Sequence, residues 1–348
     1  MNKHSRDSRK KCKNRLLKTS FALLIATFIA TSLQAQENQE TRVKEKGKNY
    51  PALSPTGFLQ THFRADDMSG NPASFSIHRA RFGFKGHLSQ NIQLNLVVGA
   101  AEPPNNTPAL VNAFADFTLD PGFNLRAGQF FAPFGLEGPE PITQNPAIER
   151  AFSTRSMNPF RMFRDIGVMA YGTFGSFQYS VAIMNGSGAN IAENLNPKDF
   201  LARLQYAPIE NLKTGLSAHL GSYEATNINM ISSFSRQRWG LHVVYEPSPL
   251  LLRGEVFRGS RETVADDREQ SNGGYLLGKY AISEKWSAIA RYDYYSPENS
   301  NEPYQGLTLG PNYQVGQNTQ LSLNGIFYSP VNGNNTLASL SIQLQMVL

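Results

Sequence analysis

The stretch SIHRARFGFKG, residues 76–86, decides the fold. Taken two residues at a time, it separates into unlike faces. Ile77, Arg79, Arg81, Gly83 and Lys85 fall on one side, and His78, Ala80, Phe82, Phe84 and Gly86 on the other. Alternation at this period marks a strand with different surroundings on its two faces. Two arginines and a lysine on one face need water or partners, whereas the aromatic face suits hydrocarbon.

The same division recurs outward along the chain. Trp239, Leu241, Val243 and Tyr245 oppose Arg238, Gly240 and His242. Trp286, Ala288, Ala290, Tyr292 and Tyr294 oppose Ser287, Arg291 and Asp293. The last stretch sets Leu340, Ile342, Leu344, Met346 and Leu348 against Ser339, Ser341, Gln343 and Gln345. Sixteen such segments follow Gly57, or fourteen if residues 57–65 and 303–315 are loop or periplasmic extension. Most approach the roughly 9–11 residues with which a tilted strand crosses a bilayer. Tight joints such as Asp120-Pro121-Gly122 alternate with longer links rich in Asn, Ser, Gly and Pro. Together these features predict an all-β fold: a closed antiparallel transmembrane β-barrel in the outer membrane of a Gram-negative bacterium. Closure removes the free edge, so every backbone N–H and C=O inside lipid finds a partner. A soluble sandwich or propeller would need longer apolar core runs or a blade repeat.

Composition agrees. Of 348 residues 17% are charged, against a usual figure of about 25%, and the mean hydropathy is negative, which excludes a bundle of membrane helices. Residues 1–35 hold eight of the 33 bases and one of the 27 acids, so the remainder carries 25 bases against 26 acids. The basic isoelectric point belongs to that leader, and a nucleic-acid partner loses its support. The leader reads as a signal peptide: a basic stretch to Lys18, then an apolar run from Phe21 to Ala30 too short to span a bilayer. An uncleaved anchor is the alternative. Residues 36–56 read as a flexible periplasmic lead-in, and residues 57–348 as the barrel. Cys12, the single cysteine, lies in the leader, so the rest of the chain offers no disulfide, thiolate or cysteine metal site.

One link stands out: APFGLEGPEPITQNPAIERAFSTRSMNPFRMFR, residues 132–164. A connection beyond about 15 residues is uncommon and usually functional. The expectation is that it folds inward as a constriction loop bearing Glu137, Glu140, Glu149, Arg150, Arg155, Arg161 and Arg164. An outward lid or a subunit contact is the alternative. Strand parity then assigns lumen-facing bases at Arg64, Arg79, Arg81, Lys85, Arg126, Arg203, Arg236, Arg238, Arg253, Lys279 and Arg291. The matching acids are only Asp116, Glu255 and Asp293. A wall lined by one sign concentrates counter-ions, and rings of Arg or Lys are how pores select anions. The alternative is that these arginines merely pair with Asp116, Glu255 or the loop glutamates. Parity sets His78 toward lipid and makes His62, His219 and His242 polar groups of the lumen.

Two strings carry a family resemblance: RARFGFKG at 79–86, and AGQFFAPFGLE at 127–137 followed by Glu149-Arg150. They resemble the phosphate-selective porin O and P family. The resemblance implies a sixteen-stranded, homotrimeric outer-membrane channel with an inward third loop and an arginine-lined anion path. It places Arg79, Arg81, Lys85 and the loop arginines from Arg150 onward along that path.

The expected function is therefore a water-filled, anion-preferring channel for passive diffusion of small solutes, with phosphate one candidate. The expected partners are small anionic solutes and outer-membrane lipid. A non-selective diffusion channel is the main alternative. A closed adhesive barrel would need no charge asymmetry inside, and an enzyme would need a catalytic set. The sequence has no H-E-x-x-H, no phosphate-binding glycine loop and no G-x-S-x-G. No enzyme activity, catalytic residue, metal site or cofactor is expected.

Overall fold

The computed structural model describes residues 49–66, 73–103, 107–158, 160–191, 197–227, 230–263, 267–297, 303–331 and 336–348. The expected signal segment and most of the lead-in lie outside these residues. The barrel unit is Tyr50–Leu348.

Its strands follow one another around the wall. The first six are β1 (Ala52–Asp66), β2 (Ser74–Ser89), β3 (Ile92–Ala101), β4 (Ala109–Asp120), β5 (Phe123–Phe131) and β6 (Arg164–Phe174). Then come β7 (Phe177–Met184), β8 (Asp199–Ile209), β9 (Leu212–Asn227), β10 (Met230–Tyr245) and β11 (Leu250–Glu262). The circuit ends with β12 (Arg268–Ala281), β13 (Trp286–Ser296), β14 (Tyr304–Gly316), β15 (Thr319–Pro330) and β16 (Leu337–Val347). Every strand pairs antiparallel with its sequence neighbours, and β1 pairs with β16, Phe58 opposite Val347, to close a barrel of sixteen strands. The two doubtful segments are strands β1 and β14.

The faces divide as the alternation requires. Phe82, Phe84, Trp239, Leu241 and Val243 are exposed, while Gln60, His219, His242, Asn324 and Gln343 are buried. Exposed apolar and buried polar side chains invert the arrangement of a water-soluble fold. The lumen is not wet throughout. Phe130, Met169, Met184, Leu201 and Phe257 point inward and form an apolar core with Phe134, Met157 and Phe160 of the β5–β6 link.

Three expectations change. β1 starts at Ala52, five residues ahead of Gly57, because the end of β2 offers it a partner, Ala52 opposite His87. Residues 52–56 have no backbone partner on the β16 side, which accommodates Pro55, a residue without an N–H. β9 and β10 extend beyond the strands expected from alternation, residues 211–223 and 234–246, to Asn227 and Met230. His78 does not face lipid. β1 pairs Gln60 with Arg79 but Thr61 with Ile77, so His78 is the extra residue of a bulge. Parity resets there, leaving Ile77 half exposed and turning His78 inward.

Candidate functional site

The link between β5 and β6, residues 132–163, folds into the lumen. Gly135, in left-handed backbone at φ 77°, turns the chain across the barrel. Its N–H donates to Ser217 Oγ of β9 at 3.1 Å, and Leu136 N–H donates to Glu255 Oε1 of β11 at 2.6 Å. Further along, Asn312 Nδ2 of β14 donates to Pro146 O at 2.9 Å, and Ile148 N–H donates to Asn324 Oδ1 of β15 at 2.9 Å. A short α-helix, α1 (Phe152–Met157), packs on β11, β12 and β13, with Phe152 N–H donating to Asp293 Oδ1 at 3.0 Å. These bonds satisfy the loop's backbone with wall side chains, which a buried loop requires.

Six wall arginines besides Arg64 form ion pairs, three of them with loop or β13 carboxylates and three with acids on or beside the strands. Arg79 Nη2 lies 3.1 Å from Glu149 Oε2. Arg81 makes a two-point pair with Glu102, at 2.6 and 2.7 Å, and Arg126 another with Asp116, at 2.7 and 2.9 Å. Arg236 reaches Asp199 at 2.9 Å, Arg253 reaches Glu140 at 2.7 Å, and Arg291 reaches Asp293 at 2.8 Å and Glu149 O at 2.7 Å. Arg203 instead donates to Gln205 Oε1 at 2.7 Å. Arg238 is half-buried beside Gly259 on the inner face. Lys85 and Lys279 share the inward parity and lie toward the tight-turn mouth. The expected eleven-to-three imbalance is thus reduced. Glu102 and Asp199, at strand ends, and the loop glutamates supply carboxylates that parity within strands does not count.

One region keeps its excess. A cavity of about 660 Å³ opens between β1, β2 and the loop on the side of the long links. Seven arginines line it against two acids, Glu102 and Glu149. Arg79 and Arg81 take those acids, and Arg64 takes Asp66 at 2.7 Å. The remaining four, Arg150, Arg155, Arg161 and Arg164, have no carboxylate in ion-pair range among the described residues. Arg150 Nε donates to Glu137 O at 2.8 Å and its Nη2 to Glu140 O. Arg164 donates to Asn112 Oδ1 and Met162 O, both at 2.8 Å. Carbonyl partners orient a guanidinium without cancelling its charge. Burial draws the Arg150 group down to about 10, with Glu137 opposing, so it remains a cation at neutral pH. Aromatic rings brace both side chains: Arg164 sits 3.5 Å over Phe131, and Arg150 4.4 Å over Phe163. Met162 and Phe163 both hold left-handed backbone, φ 57° and 60°, which bends the chain between Arg161 and Arg164. Such residues cost roughly 1–3 kcal/mol each and gather at functional sites.

Two imidazoles stand at the cavity's edge, His62 and His78, with ring centroids 4.8 Å apart. His78 Nε2 lies 2.5 Å from Glu149 Oε1. Burial works against charge on Glu149, but Arg79 and His78 outweigh it and hold the carboxyl well below the usual range. No cluster of three or more His, Cys, Asp or Glu among the described residues is placed to hold a metal ion. Sequence reasoning missed Glu102, Asp199 and the inward turn of His78. Their signal lay in strand ends and a bulge, where parity breaks.

Comparison with known proteins adds three findings. The profile of the family described as "Phosphate-selective porin O and P" matches residues 60–235. No curated protein matches by sequence. Solved outer-membrane channels share the fold. An anion-selective porin from Comamonas acidovorans has TM-score 0.64 and 10% identity, over 85% of this chain and 99% of that one. OmpT of Vibrio cholerae in its trimer form has TM-score 0.65 and 10% identity, over 85% and 99%. The DcaP channel of Acinetobacter baumannii has TM-score 0.63 and 11% identity, over 87% and 99%.

Proposed function

The chain belongs to the phosphate-selective porin O and P family, and we propose that its channel prefers anions, passes phosphate among other small solutes, and works as a homotrimer. It is an outer-membrane porin, a channel for passive diffusion of small solutes. The carrying observation is the set of four arginines, Arg150, Arg155, Arg161 and Arg164, gathered on one cavity with no carboxylate in ion-pair range among the described residues. In a wall of low dielectric their field is focused into the water path and raises the local concentration of anions. The forked guanidinium also matches the oxygens of phosphate or carboxylate. The homotrimer rests on the family and on the trimer form of a structural neighbour.

A non-selective channel is the second reading, favoured by the pairing of seven wall arginines, Arg64 included. Only the cavity then distinguishes one sign from the other. The deciding measurement is single-channel recording in a planar bilayer, with the reversal potential read in a KCl gradient. Anion preference, with current reduced by added phosphate, is expected. A cation-selective reversal potential would overturn the anion reading, and an unblocked current would remove phosphate alone.

A further inference from the structure

The outer surface of β8 to β11, away from the lumen, carries an apolar groove of about 560 Å³. Its shape follows from the register. One row of outward side chains runs Ala202, Ala218, Trp239 and Arg258 across four strands. The two methyl groups make a low floor. Leu204 and Leu216, directly paired on the next row, wall one side, and Trp239 closes one end. The three walls are exposed at 45%, 59% and 51%.

Arg258 is the unusual member. It sits at the end of the groove, exposed, with Nη2 2.8 Å from Gln270 Oε1 and no carboxylate in ion-pair range among the described residues. A cation on the lipid face costs about 2–4 kcal/mol at the bilayer midplane and little near the interface. Arg258 stands eight residues beyond Leu250, where β11 leaves its tight turn. At about 3.3 Å per residue and a tilt near 40° that is roughly 20 Å up an apolar band about 25 Å tall. The guanidinium therefore reaches the outer interface, where lipid phosphates lie. The outward positions of the described strands provide it with no acid short of Glu262 at the rim, which stands opposite Arg268. The apolar part of this face, among the described residues, offers a second copy of the chain no carboxylate at the level of Arg258, whereas lipid phosphates lie at that level.

We propose that this groove binds a phosphate-bearing lipid of the outer leaflet, an acyl chain lying over Ala202 and Ala218 against Trp239 and the phosphate paired with Arg258. The site is independent of the lumen. It gives the barrel an oriented annular lipid on one side of its wall.

The test uses the purified full chain, delipidated and exposed to equal amounts of phosphatidylglycerol or of a diacylglycerol with the same acyl chains, which has no phosphate, with retained lipid counted by native mass spectrometry. The wild type is expected to hold the anionic lipid about tenfold better. Arg258→Gln is expected to abolish that preference, and Ala218→Leu to reduce retention of both lipids by filling the floor. Both variants should conduct as the wild type does, which also shows that they have folded. Undiminished preference in Arg258→Gln would overturn the proposal. So would disulfide-linked dimers formed by Ala218→Cys in membranes, because the groove would then be covered by a second copy.

Discussion

The carboxylate of Glu149 meets the guanidinium of Arg79 at 3.1 Å, so the ion pair that neutralises one wall arginine also fastens the loop that narrows the lumen. The neighbouring bond from Arg291 Nη1 to Glu149 O, at 2.7 Å, ties the same residue to β13. Selectivity and loop position are therefore coupled at one residue.

Glu149→Gln tests that coupling. The variant removes a negative charge from the cavity and loosens the tie to β2. Thermal stability should fall by about 1–3 kcal/mol, while the anion-to-cation permeability ratio rises and current noise increases. Unchanged noise with raised selectivity would show that Glu149 sets the field without holding the loop.

Two of the loop's acids, Glu149 and Glu137, should respond to pH in opposite senses. Glu149 is held low, so its contribution to stability is complete above the usual carboxylate value of 4.5 and is lost as pH falls through its lowered folded value. Burial raises Glu137, with Arg291 opposing, so its contribution is complete below 4.5 and is lost as pH rises through the raised value. Glu137→Gln should therefore stabilise the barrel more at pH 8 than at pH 4, and Glu149→Gln should destabilise it more at pH 8 than in strong acid. Melting curves at these pH values compare the two, and parallel shifts in both variants would contradict the assignment.

Arg155 and Arg161 are the exposed members of the set that has no carboxylate in ion-pair range among the described residues. Replacing both by Glu changes the cavity by four charges at little structural cost. The permeability ratio should fall at least fivefold, and more in dilute salt than in concentrated salt, since screening extends only about 10 Å at 0.1 M. A ratio that stays put would place the selective field elsewhere in the lumen.

Gly135 turns the loop at φ 77°, and an added Cβ would meet Glu255 Oε1 at 2.6 Å. Gly135→Ala is expected to displace the first turn of the loop, costing roughly 1–3 kcal/mol, and to raise single-channel conductance. Wild-type conductance in a folded variant would mean that this turn does not bound the water path.

The sequence announces the barrel because each strand repeats one local contrast that needs no knowledge of the rest. Residues 132–164 were separable for the same reason: alternation stops at Phe131 and resumes beside Arg164, where β5 ends and β6 begins. What escaped the reading depends on distant partners. Glu102 and Arg81, or Asp199 and Arg236, meet only when the sheet is in register. One inserted residue at His78 reverses the faces beyond it without leaving a mark in the local pattern. The excess of inward bases was legible, but its confinement to one cavity was not, because neutralisation is decided by pairs and not by composition.

The seam between β1 and β16 joins residues nearly 290 positions apart, Gln60 Nε2 donating to Gln345 Oε1 at 2.7 Å. During biosynthesis the tube stays unsealed until its final hairpin emerges. Until then both margins of the growing sheet present bare hydrogen-bonding groups, able to recruit foreign strands or their own kind. Sealing is also slow, since so much chain must be gathered first. A truncation just short of β16 would leave those margins open for good and should aggregate rather than insert.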